Sequence, residues 1–479
     1  MSAEVTAQMP RRIWWALVAM LAAAAMDLID TTIVNVAAPA IRDELGASAP
    51  QIEWTVAGYA LAFGVGLITG ARLGDRYGRR PVFLAGVSGF VLASLVCGLA
   101  PNPDVLVAAR VVQGLAAAVM IPQILTVIQV AVPAHQQAKA YAGYGATAAI
   151  GTVSGPLLGG LLISANVFEL GWRPIFLINV PIGLAVLAVA AATLPDSRAP
   201  RAVGLDFAGV ALLVLALLLV LYPLVEGPQL DWPGWAFALL VAAPFVLAVF
   251  VLQQRRRGAT GGAPLIAPGL FSQRGFTGGV LAQVALYAGV TGFFLVFALT
   301  LQTGLGFTAL RTGLTFVAWS VGIAIASAIS SGLAPRLGRR LTMTGAIVMA
   351  LGMVGLLLAV NVSGAAISPW GFVPGLLLAG LGMGMVAPTL VDVSLRRVDT
   401  DDAGSASGVV ATAGQLGGAL GVAGLGAIYF SALGPQPAGP DYLNALTATL
   451  YYEIAVLLLA AAVMLLIPSR PRSHRARDA

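Results

Sequence analysis

Ala71-Arg72-Leu73-Gly74-Asp75-Arg76-Tyr77-Gly78-Arg79-Arg80 recurs, loosely, as Ser331-Gly332-Leu333-Ala334-Pro335-Arg336-Leu337-Gly338-Arg339-Arg340, with Leu, Arg, Gly, Arg and Arg at matching places. Each copy follows one apolar run and precedes another, so each reads as a short basic turn between two membrane helices. Their separation leaves room for eight spans between the copies, which fits two six-helix halves with an extra helix pair inserted between them. Parallel repeats of this sort characterise a large class of transporters.

The rest of the chain has the composition such a design needs. It is 59% hydrophobic and 10% charged, against about a quarter charged in an ordinary soluble domain, and it could not cover a water-facing surface. Apolar runs long enough to cross a hydrocarbon core of roughly 30 Å as helices recur from Ile13 to Ile467. We read fourteen spans, at 13–38, 54–71, 81–100, 105–126, 141–163, 174–194, 206–224, 234–252, 276–301, 312–333, 341–361, 371–393, 404–430 and 448–467. The expected fold is an all-α polytopic membrane protein. A first six-helix lobe covers 1–200, two linker helices 201–262, and a second six-helix lobe with a basic tail 263–479.

An even number of spans places both termini on one side, and of the 26 basic residues 22 fall on that side. Arg42, Arg173 and Arg311 fall opposite, and Arg110 lies inside span four. The positive-inside rule then makes the termini cytoplasmic, with Trp14 and Trp15 as anchors at the inner face. The net charge of +6 is thus topological and does not point to nucleic acid. The first span follows Arg11 and Arg12, is too long for a signal-peptide core and is expected to be retained. The single cysteine, Cys97, can form no internal disulfide, and no metal or cofactor framework is expected.

Charge inside a membrane is costly, so the few cases are informative. Asp27 and Asp30 lie three apart in span one and share a helical face. Arg110, in the antiparallel span four, falls at a matching depth and can reach at least one of them. A carboxylate that alternates between an arginine, water and a proton can carry that proton across, and a permanent ion pair is the alternative. Glu453 and Asp392 lie nearer span ends and are expected at the interfaces. Span five carries Gly151, Gly155, Pro156, Gly159 and Gly160, a flat strip for close helix approach with a proline bend. Candidate lining residues for an apolar cavity are Tyr59, Phe63, Gln123, Tyr287, Phe293, Phe294, Phe297, Trp319, Met383 and Met385, suited to aromatic or cationic compounds.

Together these strings resemble a known family. Asp30-Thr31-Thr32-Ile33-Val34-Asn35-Val36-Ala37-Ala38-Pro39 resembles the first-helix signature of the fourteen-helix drug/proton antiporters of the major facilitator superfamily, the EmrB/QacA relatives. The turn around Asp75, Arg76, Gly78, Arg79 and Arg80, the string from Arg110 to Gly114, the glycine strip of span five and the stretch from Trp172 to Gly183 fall where that family has its motifs.

The resemblance implies alternating access, a centrally bound small-molecule substrate and export coupled to proton entry; the chain is expected to be a monomer, and its alanine- and arginine-rich usage points to a bacterial cytoplasmic membrane. It also implies that Asp75 docks against the start of span thirteen, near Gly404 and Ser405. Ala71 departs from the family's usual glycine. A nutrient/proton symporter of the same fold is the alternative, and a membrane-embedded enzyme a remote one. Neither His135 nor His474 sits in a catalytic string, and no phosphate-binding loop surrounds Lys139, the only lysine.

Overall fold

The computed structural model describes residues 9–198, 204–396, 398, 403–434 and 437–467. Fourteen helices are long and apolar enough to cross a membrane. They are α1 (Arg11–Leu45), α2 (Ala49–Tyr77), α3 (Arg79–Gly98), α4 (Pro103–Ala131), α5 (Ala134–Ala165), α6 (Pro174–Thr193), α7 (Phe207–Glu226), α8 (Gly234–Ala259), α9 (Arg274–Leu299), α10 (Ala309–Leu337), α11 (Arg339–Ser363), α12 (Pro369–Leu395), α13 (Ala403–Leu433) and α14 (Gly439–Val463). Most run a few residues beyond the hydrophobic stretch that marks them in the sequence, because polar caps lie outside the apolar run.

Those caps set the ends. Ser48 accepts from the Gln51 amide while the Gln51 side chain accepts from the Ser48 amide, a capping box that starts α2 at Ala49. Asn102 accepts from Val105 N at 3.0 Å ahead of Pro103 in the first turn of α4. The repeated basic turn is the same device twice. Gly78 (φ 103°) and Gly338 (φ 50°) each end one helix and begin the next, their amides donating to Gly74 O at 3.0 Å and Ala334 O at 2.9 Å. Glycine is required there because a Cβ disfavours positive φ.

Helices α1 to α6 pack among themselves through α1/α5, α1/α6, α2/α4, α3/α4 and α3/α6. Helices α9 to α14 do so through α9/α13, α9/α14, α10/α12, α11/α12 and α11/α14. The pair α7 and α8 lies beside α2 and α13. The two groups meet along α2/α13, α5/α10 and α1/α9.

On the face opposite the termini this seam is shut. A Cβ on Gly160 of α5 would lie 2.6 Å from Ala309 O of α10, and Ser164 Oγ accepts from Leu310 N at 3.3 Å. Gln302 also donates to Val36 O at 2.9 Å. These contacts close the seam between the two groups on the face opposite the termini. Toward the terminal face, Gly145 of α5 and Gly332 of α10 meet nothing within 4 Å among the described residues.

Candidate functional site

The site lies inside the first group of helices, where α1, α2, α3, α4 and α6 converge. Asp30 is fully buried, and Arg110 is 1% exposed. Arg110 donates to Asp30 Oδ2 at 2.5 Å and to Gln113 Oε1 at 2.7 Å, while its Nε donates to Thr55 O at 3.0 Å. The other oxygen of Asp30, Oδ1, accepts from Gln113 Nε2 at 2.9 Å and Asn179 Nδ2 at 2.7 Å. Ser94 Oγ receives the spare amide hydrogens of Gln113 and Asn179, at 2.8 and 3.3 Å. The guanidinium also lies over the rings of Tyr59, at 4.2 Å, and Phe176, at 5.6 Å.

Every donor around Asp30 is aimed at an anion, and its charge is balanced within one hydrogen bond. Breaking such a buried pair from one side costs about 3–5 kcal/mol. Asp27, 4% exposed and one helical turn away, has a different setting: the Tyr59 hydroxyl donates to its Oδ1, and it has no ion pair among the described residues. The sequence left open which aspartate meets Arg110. It is Asp30, and Asp27 is the acid without a cation of its own.

The glycine strip of α5 packs on α1. A Cβ on Gly151 would meet Leu28 Cβ at 2.8 Å, one on Gly159 would meet Ile33 Cγ1 at 2.7 Å, and one on Gly155 would overlap the Thr32 hydroxyl. Pro156 and Gly160, at the end of the strip, face Gly313 and Ala309 of α10. The strip thus joins the acid-bearing helix to the seam between the two halves.

In the basic turn, Asp75 pairs with Arg79 at 3.2 Å, and Arg79 donates to Ser197 Oγ at 3.3 Å. Arg80 pairs with Asp196 at 3.4 Å, and Arg76 lies over Tyr77. The motif therefore clasps the segment leaving α6. The expected contact of Asp75 near Gly404 and Ser405 falls on side chains outside the described residues.

Of the candidate cavity residues, Trp319 and Phe294 line a cavity of about 30 Å³ between the halves, roughly one water molecule's share of liquid volume. One wall is polar, with Thr32, Asn35 and Thr152; the other is aromatic, with Phe294, Phe316 and Trp319. Asn35 Oδ1 has no hydrogen-bond partner among the described residues. Phe293 stacks on Phe297 at 4.9 Å and on Trp319 at 6.0 Å, behind that wall.

Other candidates are engaged elsewhere. Tyr59 serves Asp27, and Phe63 packs beside it. Gln123 donates to Gly70 O at 2.9 Å in the α2/α4 contact. Tyr287 lies against Gly414, Met383 is buried in the second-half core, and Met385 borders Gly345.

Glu453 was expected at an interface. It is instead fully buried in the middle of α14, because the apolar stripe of Leu446, Leu450 and Leu457 that carries it faces the second-half core. Asp392 lies half-exposed near the end of α12, paired with Arg396 at 2.6 Å.

Gln113 and Asn179 lie inside the Arg110–Gly114 and Trp172–Gly183 strings, which assign them no role, and Ser94 and Glu53 belong to no motif. The Ser48-Ala-Pro-Gln51 capping signature is the signal that would have drawn α2 back far enough to include Glu53.

Comparison with known proteins agrees with this architecture. Residues 20–422 match the description of the Major Facilitator Superfamily. The chain is 42% identical, over 89% of its length and 74% of the relative's, to a probable actinorhodin transporter of Streptomyces coelicolor. It is 34% identical, over 96% and 92%, to a puromycin resistance protein of Streptomyces alboniger. It is 33% identical, over 84% and 73%, to the multidrug resistance protein Stp of Mycobacterium tuberculosis.

Among solved structures, a bacterial homolog of the human lysosomal transporter Spinster, inward-facing and occupied, superposes with a TM-score of 0.69. It has 17% identity, with 96% of this chain and 97% of that one covered. The chain belongs to the Major Facilitator Superfamily, and its fourteen spans and its relatives place it with that superfamily's drug and antibiotic efflux transporters, which are secondary transporters and not enzymes.

Proposed function

We propose that this chain exports amphipathic, aromatic small molecules across a bacterial cytoplasmic membrane in exchange for protons, as a monomer with both termini in the cytoplasm. The single observation that carries the coupling is the pair of buried acids on one face of α1. Asp30 accepts from Arg110, Gln113 and Asn179, and Asp27, a turn away, has among the described residues the Tyr59 hydroxyl alone. In this reading Asp30 and Arg110 form a fixed dipole, and Asp27 takes and gives the proton as α1 moves with the seam.

Each proton entering down 100 mV supplies about 2.3 kcal/mol, enough for roughly a fifty-fold gradient of an uncharged substrate. The closed cavity is too small for an aromatic ring, but the walls that would face a substrate once the halves part suit one: rings for stacking on one side, and on the other a polar wall with an Asn35 oxygen, unpartnered among the described residues, that can accept from a hydroxyl or amine. The names of the relatives, an antibiotic transporter and two resistance proteins, support export over uptake.

The test uses inverted membrane vesicles energised to an acid lumen. Adding a planar aromatic antibiotic or dye should discharge the lumenal acid in vesicles holding the wild type, and not in those holding Asp27→Asn. Equal discharge by both proteins would remove the coupling scheme. Substrate that merely equilibrates across the membrane and never moves protons would leave a facilitator.

A further inference from the structure

Glu53 is a buried carboxyl that the site above does not use. It stands one turn into α2, roughly 6 Å along the helix from Ala49, on the face opposite the termini. It is 1% exposed, its Oε2 has no hydrogen-bond partner, and it forms no ion pair among the described residues. A Cβ placed on Gly426 of α13 would collide with the Glu53 carboxyl. Because α2 and α13 belong to different halves, the group is shut inside the seam that must part for substrate to leave on this face.

Among the described residues no cation answers it from the elements packed around it. Helix α13 carries no ionisable acid or base from Ala406 to Leu433, and its Tyr429 hydroxyl is bonded to Thr300 at 2.9 Å. At the end of α7, Glu226 accepts from Trp54 Nε1 at 3.2 Å and bears on Glu53 as a like charge. Asp104 of α4 is occupied by Gln51 at 2.7 Å. Arg42 of α1 lies 6.0 Å over the Phe430 ring, a turn farther along α13, and makes no ion pair with Glu53.

A carboxylate sealed in this place without a partner is disfavoured, whereas a carboxylic acid there is tolerated. When the halves separate on this face the group meets water, where an ordinary carboxyl ionises at neutral pH.

We propose that Glu53 is a proton-operated latch on the α2/α13 seam: the seam closes with a proton on Glu53 and opens as that proton leaves. The proton comes from, and returns to, the solution bathing the face opposite the termini, so the latch moves no net charge across the membrane. It rests on the alternating-access reading but is separate from proton carriage by Asp27. Its effect is to make a proton on that side favour the state that next faces the terminal side.

The test needs neither substrate nor gradient. In the full-length protein in lipid nanodiscs, spin labels at Asp43 and Ala432, both exposed on that face and in different halves, report the opening as a distance. The native Cys97 is buried and stays unlabelled. The ratio of open to closed populations in the wild type should rise between pH 5 and 9, by up to tenfold per unit for a single linked proton. Glu53→Gln should lose that dependence and stay closed throughout, and Glu53→Asp should keep it, which separates the latch from a mere packing defect.

Wild-type distances that ignore pH would overturn the latch, as would a Glu53→Gln protein that titrates like the wild type. Asp27→Asn, which removes any linkage through the coupling acid, should keep a pH response that adding Glu53→Gln abolishes. If the response disappears there instead, it belongs to Asp27 and the latch is wrong. If the response depends on Glu53 while every variant fails to move protons with substrate, the latch stands and the coupled-export reading falls.

Discussion

Asn179 Nδ2 lies 2.7 Å from Asp30 Oδ1, tying α6 to α1 across 149 residues of sequence. It is a neutral donor serving a buried anion, and it leaves Arg110 free to engage the other oxygen. A hydrogen bond to a charged group contributes about 1.5–3 kcal/mol. Asn179→Leu should therefore lower export roughly tenfold or more while the Arg110 pair persists, and should lower the thermal midpoint of the purified protein. Efflux of a fluorescent dye from intact cells, beside a melting curve, checks both. Wild-type values in each would show that Asn179 only fills space.

The two aspartates should respond differently. Asp30→Asn strips the counter-ion from an arginine that is 1% exposed, which costs about 3–5 kcal/mol. The variant should lose both coupled export and a large share of its stability. Asp27→Asn breaks no ion pair among the described residues and should lose coupling with a near-normal melting temperature. Pairing Arg110→Leu with Asp30→Asn should recover stability without recovering transport, because the buried charge goes but the dipole beside Asp27 is not rebuilt. Melting curves and vesicle proton flux for the four proteins decide this, and equal destabilisation by the two single aspartate variants would contradict the assignment.

How much of this was legible in the chain follows from what each residue must satisfy. Fourteen spans and the repeated turn are readable because hydrocarbon thickness and positive-φ glycines constrain single positions, whatever their neighbours. Asp27, Asp30 and Arg110 are readable because charge at that depth is rare. Ser94 and Asn179 come from two other helices and Gln113 from the next turn of α4, and nothing in a hydropathy pattern distinguishes an amide that bonds a buried carboxylate from one that faces water. Glu53 escaped for a local reason, its place one residue before the apolar run. Tyr59 and Gln123 look like cavity residues by type, yet one serves Asp27 and the other closes the α2/α4 contact. Side-chain direction within a helix depends on packing that one sequence does not display.

Gly160 tests the seam from the α5 side. A Cβ there would stand 2.6 Å from Ala309 O and 2.8 Å from Leu310 Cα, backbone atoms that cannot swing aside. Gly160→Val should force α5 and α10 apart on the face opposite the termini, favouring the conformation open on that face and slowing turnover by at least tenfold. Alkylation of a cysteine placed at Ala309, 7% exposed in the closed seam, should accelerate in the variant. Unchanged alkylation would show that the seam relaxes without opening.

Asp206 gives a prediction with a pH sign. It lies just ahead of α7 and caps that helix through Gly209 N at 3.0 Å. It accepts as well from Gln254 at 2.8 Å, Gln253 at 3.1 Å and Leu265 N at 3.1 Å. Arg257 stands 3.5 Å away, and Arg72 of the basic turn donates to Gly204 O at 2.9 Å and to Pro264 O. The carboxyl thus anchors the connector between α8 and α9 to the inserted pair, and through Arg72 the connector is held to the first half. Burial alone pushes this acid up, but the bonds from Gly209, Gln254, Gln253 and Leu265 outweigh it and hold the carboxyl below its ordinary value. A depressed folded-state value means the stabilisation is complete above the unfolded value, about 3.9, and is lost only as pH falls through the lower folded one. Hydrogen exchange at Leu265 and Ile266 should therefore stay slow from neutral pH down to about 4, after correction for intrinsic rates, and quicken only in stronger acid. Asp206→Asn should exchange quickly at neutral pH, since the amide replaces an anion that four donors and a guanidinium surround. Protection in the variant equal to the wild type would mean that Gln254, which accepts from Ile266 N at 3.0 Å, holds the connector unaided.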